Sequence, residues 1–193
     1  MIGKYRAWYE KKGKILGKKI SKLPITPNQL TLLSLIPGAG ACYFLAEREI
    51  FLGIVLMALS FAVDALDGSL ARATGMTTKT GKVLDPVIDR YIEFLVLLGI
   101  VLGEMVKPWI ALYCLFGMLM ASYARARAES IEPINLLSVG IMERQEKFLL
   151  LLIGLVLFNQ YADSLNYALL IIGTLSHITV AQRLLRAKKE MGE

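Results

Sequence analysis

Six stretches of the chain alternate with short charged segments, and each is apolar enough to enter a lipid bilayer, which takes about 20 helical residues to cross. They cover residues 28–46, 50–72, 83–103, 108–128, 147–161 and 165–185, the fifth being the shortest. Residues 1–22 follow another pattern. Ile2, Tyr5, Trp8 and Tyr9, then Ile15 and Ile20, recur at near-helical spacing, with lysines filling the remainder. That spacing predicts an amphipathic helix lying on an anionic membrane surface. Its charges interrupt any continuous apolar run, so it does not read as a cleavable signal. The fold class is therefore an all-α integral membrane protein, with six transmembrane helices over 28–186 and an N-terminal amphipathic juxtamembrane helix over 1–25. Thr26 reads as the N-cap of the first span, with Pro27 at its first position. Pro37, Gly38 and Gly40 permit a kink and close helix packing. Pro86 is tolerated in a first turn, which predicts a helix beginning near Asp85.

Composition agrees with one membrane domain spanning 1–193: 55% of the 193 residues are hydrophobic and mean hydropathy is +0.54. There is no room for a second folded unit. Cys42 and Cys114 lie in apolar runs without metal or redox spacing and read as core residues. His177, in the last apolar stretch, reads as a packed residue. The net charge of +6 is unevenly placed. Eight lysines and arginines precede the first span, three (Arg72, Lys79, Lys82) follow the second, four (Arg125, Arg127, Arg144, Lys147) follow the fourth, and four (Arg183, Arg186, Lys188, Lys189) follow the sixth. Against these stand Arg48 and Lys107 on the other side, and Arg90 within a span. The positive-inside rule puts both termini and the loop after the second span on the cytoplasmic face of a cell membrane. Basic charge beside spans points to membrane lipids and not to nucleic acid.

That loop carries the chemistry. Asp64, Asp67, Asp85 and Asp89 stand at the ends of two apolar segments; residues 50–63 contain no charge, and Glu93 is the only charge in 91–103. An ionised carboxylate in hydrocarbon costs about 2.5–3.5 kcal/mol on insertion scales, so four in such company need a cation. Asp64 and Asp67 are three apart and Asp85 and Asp89 four apart, so each pair shares one helix face. Asp64 lies about 12 Å of helix before Arg72 and Asp89 about 10 Å after Lys82, which brings the pairs level on antiparallel helices. Hard divalent cations, Mg²⁺ first and Mn²⁺ as an alternative, match four carboxylates, and two of them would clamp phosphate oxygens.

These residues spell D-x2-D-G-x2-A-R-x8-G-x3-D-x3-D at every fixed position, and on this signature the chain resembles the CDP-alcohol phosphotransferase family. The resemblance implies an enzyme that moves the lipid-phosphate group of a CDP-lipid, CDP-archaeol or CDP-diacylglycerol, to an alcohol and releases CMP. It implies two Mg²⁺ per active site held by Asp64, Asp67 and Asp85, with Asp89 as general base that also touches metal. It further implies CDP-lipid contacts from Asn28, Gln29, Leu30, Thr31, Gly68, Arg72, Thr78 and Gly81, and a homodimer. Read by themselves, Gly68 and Gly81 would let a bulky group approach a helix backbone, and Arg72 would be a snorkelling cation.

The acceptor is addressed by arginines near the cytoplasmic ends of the later spans. Ser122, Arg125 and Arg127 lie in Ser-Tyr-Ala-Arg-Ala-Arg-Ala-Glu, Arg144 lies in Glu-Arg-Gln-Glu-Lys, and Arg183 closes the sixth span. The guanidinium fork suits an anionic acceptor, although a positive-inside rim accounts for part of this charge. S-Y-x-[KR]-A-R-A-E followed by G-x-x-E-R-x-E-[KR] resembles the family branch that makes phosphatidylinositol phosphate or archaetidylinositol phosphate. That implies inositol 1-phosphate as acceptor, its phosphate held by Ser122, Arg125, Arg127, Arg144 and Arg183. Bacterial members often have lysine where this chain has Arg125. Two rivals remain: a phosphatidylglycerophosphate-type synthase using glycerol 3-phosphate, and a divalent-cation transporter. Against the transporter, the acids cluster at one membrane face.

Overall fold

The computed structural model describes residues 24–136 and 139–192, so the expected amphipathic helix lies outside the described residues. Among the described residues there are seven α-helices and no strand. They are α1 (Pro27–Leu33), α2 (Leu35–Ala46), α3 (Ile50–Thr74), α4 (Lys79–Leu102), α5 (Pro108–Ile131), α6 (Arg144–Leu157) and α7 (Ser164–Met191). They divide into two compact units, one within the first 99 residues and one from Ile100 onward.

In the first unit, α1 starts where the sequence indicates. Thr26 is the extended N-cap; its Oγ1 accepts from the Gln29 backbone N–H (3.3 Å) and its own N–H donates to Gln29 Oε1 (2.8 Å). This is a capping box with Pro27 at the first position. The break in the first span falls at Ser34 and not at the glycines. Pro37 sits in the first turn of α2, where it has no N–H for the Leu33 carbonyl and crowds it, so the helix ends and restarts. The Ser34 carbonyl accepts from Ser60 Oγ on α3 (2.8 Å), and the Ser34 hydroxyl donates back to the Thr31 carbonyl (2.6 Å). The glycines serve packing, as expected: a Cβ on Gly38 would lie 3.3 Å from Ile92, and one on Gly40 2.9 Å from Leu56. Tighter still is Gly99, where a Cβ would meet the Cys42 carbonyl oxygen at 2.5 Å.

Gly75, at φ 70°, closes α3 in the left-handed conformation. The next helix begins at Lys79, earlier than expected, because the Thr78 hydroxyl accepts from the Gly81 N–H (2.9 Å) and stabilises its first turn. Pro86 is thus inside α4 and not in its first turn, which removes the ladder bond to the Lys82 carbonyl between the two acids.

In the second unit, α5 and α7 meet through glycines: a Cβ on Gly117 would lie 3.0 Å from the Gly173 carbonyl, and one on Gly173 3.0 Å from Cys114 Cα. The α6 helix joins through Gly154, whose Cβ would meet Ala168 at 2.8 Å. Ile110, Cys114, Leu165, Leu169 and Ile172 are buried there. His177 packs against Tyr113 and Phe116 (ring centroids 4.9 and 6.0 Å), as a packed histidine should. Both cysteines are free.

Among the described residues, four segments are long and apolar enough to cross a membrane: Pro27–Ala46, Ile50–Thr74, Pro108–Ile131 and Ser164–Met191. The other two expected spans are helices of another character. α4 carries Asp85, Asp89, Arg90 and Glu93 along its length, and α6 has only 14 residues. Gly99→Ala should cost about 1–3 kcal/mol by overpacking and lower the unfolding midpoint in detergent. An unchanged midpoint would show that α2 and α4 do not pack at that carbonyl.

Candidate active site

The site in the first unit is built where three helices bring polar groups onto apolar scaffolds. Asp64 and Asp67 share a face of α3, and Asp85 projects from the second turn of α4. One oxygen from each lies within 4.8 Å of the others; Asp64 and Asp67 are buried, and Asp85 is the most open. Asp89, one turn further along α4, is buried but stands outside this trio. Its Oδ2 lies 3.6 Å from Arg90 Nη2, and Arg90 Nε lies 3.1 Å from Glu93 Oε2. Three hard carboxylate oxygens this close, two of them removed from water, are a donor set for a divalent cation such as Mg²⁺ or Mn²⁺.

The third helix supplies support. Thr31 Oγ1 donates to Asp67 Oδ2, and it also lies 3.2 Å from the Pro27 carbonyl, so one hydroxyl couples α1 to the carboxylate. The break at Ser34, tied to Ser60, holds this end of α1 against α3.

The residues expected to contact CDP-lipid divide by their surroundings. Asn28 lies over Gly81: a Cβ there would be 2.7 Å from Asn28 Oδ1 and 3.1 Å from Thr78 Oγ1, so these three residues come together. Arg72 folds back over Gly68, where a Cβ would lie 3.2 Å from Nη1. Gln29 uses its side chain in the capping box, Leu30 is a core residue, and Thr31 serves Asp67.

In the second unit, Ser122, Arg125 and Arg127 lie on α5, Arg144 begins α6, and Arg183 lies on α7. Arg183 is buried and donates from Nη1 to the Ala121 carbonyl (2.5 Å) and from Nε to the Val139 carbonyl (2.9 Å). It therefore braces α5 and the chain before α6. Arg125 Nε lies 3.1 Å from Glu129 Oε1, while Arg127 is exposed.

Sequence reasoning missed Ser34 and Ser60, the Arg90–Glu93 pair and Glu129. Ser60 lies four residues before Asp64, on the same face, in a run without other polar residues except the acids, and Arg90 and Glu93 have ion-pair spacing. Ser34 had no such signal, because its role depends on where the helix breaks.

The sequence profile of the CDP-alcohol phosphatidyltransferase family matches residues 24–180, and the chain belongs to that family. It is 39% identical to archaetidylinositol phosphate synthase of Pyrococcus horikoshii over 195 residues, covering 100% of both chains. It is 33% identical to phosphatidylinositol phosphate synthase of Corynebacterium glutamicum, covering 90% of this chain and 83% of that one. The fold is that of Mycobacterium tuberculosis phosphatidylinositol phosphate synthase with CDP-DAG bound: the TM-score is 0.78 at 24% identity, over 91% of this chain and 93% of that one. A second structure of the mycobacterial protein, in complex with manganese and citrate, matches with a TM-score of 0.77 at 24% identity over 91% and 88%.

If Thr31 orients Asp67 for a metal, Thr31→Val should raise the Mn²⁺ concentration that half-saturates the site by about tenfold, as loss of an outer hydrogen bond to a ligand typically does. The measurement is Mn²⁺-dependent thermal stabilisation in detergent; an unshifted titration would remove Thr31 from the site.

Proposed function

We propose that the chain transfers the lipid-phosphate group of a CDP-lipid to inositol 1-phosphate and releases CMP, in phospholipid biosynthesis. The observation that carries this reading is the trio Asp64, Asp67 and Asp85, with oxygens within 4.8 Å of one another, at the motif the family shares. The acceptor is supported by the inositol phosphate synthases that the chain matches along its length.

Phosphoryl transfer depends on positioning and charge neutralisation. Asp64, Asp67 and Asp85 would hold two Mg²⁺, with Asp89 within reach, and such ions would supply charge neutralisation and polarisation of the diphosphate. Asn28, Gln29, Leu30 and Thr31, together with Gly68, Arg72, Thr78 and Gly81, receive the donor. Gly68 and Gly81 let the nucleotide lie against backbone, and Arg72 contacts a donor phosphate. Ser122, Arg125, Arg127, Arg144 and Arg183 bind the acceptor's phosphate. The acceptor hydroxyl oxygen attacks the phosphorus that bears the lipid and gives its proton to Asp89. The bond from that phosphorus to the bridging oxygen breaks, and CMP leaves with the electron pair.

In this reading the chain is one membrane domain of six spans, with residues 1–25 on the surface. The distribution of lysine and arginine puts both termini and the carboxylates on the cytoplasmic side. The small residues in the spans permit the homodimer that the family resemblance implies.

The test is CMP release by the purified chain with Mg²⁺ and a CDP-lipid, offered inositol 1-phosphate, glycerol 3-phosphate or serine in separate reactions. Release with inositol 1-phosphate alone is expected; release with glycerol 3-phosphate instead would replace the acceptor. EDTA should abolish release and excess Mg²⁺ restore it. Asp89→Asn should lower kcat by ~10²–10⁴, the usual worth of a general base, and a smaller loss would assign the proton to another group.

A further inference from the structure

We infer that Glu129 is a positioning residue for the acceptor site, which aims Arg125 and ties it to the chain that precedes α6. The inference rests on the proposed acceptor role of Arg125. A single oxygen, Glu129 Oε1, accepts from Arg125 Nε (3.1 Å) and from the backbone N–H of Leu136 (3.0 Å). Arg125 lies one turn before Glu129, and Leu136 lies beyond the end of α5. Leu136 is fully buried in a cluster with Ala128 and Ala187, so the backbone N–H that holds the carboxylate is itself anchored to side chains of α5 and α7.

The geometry specifies which edge of the arginine remains for a ligand. With Nε–H directed at Glu129, the four N–H groups of Nη1 and Nη2 form the edge that a phosphate can accept from. A long arginine otherwise loses rotamer freedom when it binds; here part of that ordering precedes the ligand. The acid holds the chain before α6 through the Leu136 N–H, and its ion pair with Arg125 adds little stability to that. The Arg125 and Glu129 side chains are 35% and 28% exposed, and exposed ion pairs contribute little. By charge alone, a carboxylate here opposes binding of a phosphate; what it adds to the site is direction, since it fixes the Nε–H and is itself fixed by the Leu136 N–H.

Steady-state kinetics on Glu129→Ala, Glu129→Gln, Arg125→Ala and the double alanine variant test this. Glu129→Ala should raise KM for inositol 1-phosphate about tenfold, the worth of one charged hydrogen bond, with kcat and KM for the CDP-lipid within about twofold. Glu129→Gln keeps an acceptor oxygen and should stay within about threefold of the parent. The double variant should be no worse than Arg125→Ala, because both changes remove one function. Each variant is compared at a parental unfolding midpoint, and Glu129→Leu, similar in size and without an acceptor, replaces an unstable alanine variant. If Arg125→Ala raises the acceptor KM and Glu129→Ala does not, or if their effects multiply, the positioning role is overturned while the acceptor site stands. If Arg125→Ala leaves the acceptor KM unchanged, the acceptor role of Arg125 falls and the inference with it.

Discussion

Repulsion among carboxylates in a low-dielectric setting is the constraint on which the first unit depends. Two unit charges about 4 Å apart interact by about 1 kcal/mol in water and about 4 kcal/mol near a protein surface. Asp64, Asp67 and Asp85 hold oxygens within 4.8 Å of one another, so close packing of their helices opposes their charge unless a cation joins them. The scaffold is built for that closeness. The Gly99 backbone lies against Cys42, Gly38 against Ile92, and the Ser60 hydroxyl donates to the Ser34 carbonyl at the break. Helix packing in this unit thus works against the charge of its own carboxylates.

The second unit faces a different problem, which is backbone. The described residues between α5 and α6 form no helix, and buried polar backbone there must find partners within the protein. Four side chains supply them: Glu129 accepts from Leu136 N, Gln182 from Ile141 N and Thr179 from Met142 N, while Arg183 donates to the Val139 carbonyl. Three of these side chains come from α7, so the last helix acts as a template for a connection that has little structure of its own. Arg183 is both a residue of the proposed phosphate site and a structural brace, and the second role was not visible from its position at the end of a span.

Legibility followed spacing. The four aspartates, the N-cap at Thr26 and the packing glycines are local patterns, and the structure brings Asp64, Asp67 and Asp85 together as their spacing suggests. Asp89, one turn beyond Asp85 on α4, is buried but stands outside that trio. The expected third and fifth spans were drawn from apolar content; α4 proves too charged and α6 too short to meet the same measure as the other four. The kink that Pro37 permits falls at Ser34, because proline leaves the carbonyl four residues before it without a donor. Glu129 stood in a quoted motif, yet its partner Leu136 lies beyond a helix end, where sequence gives no geometry.

The braces of the second unit also impose an order on synthesis. Thr31 and Asp67 are 36 residues apart, and every residue of the carboxylate site has been made by Asp89. By contrast, Ile141, Met142 and Val139 wait for partners 41, 37 and 44 residues later, on the final helix. A nascent chain that has emerged only through α6 therefore owns all four aspartates of the first unit while the segment before α6 still lacks its template. The carboxylate cluster is complete at a time when the segment before α6 still lacks its partners, so the two units are finished at different moments of translation.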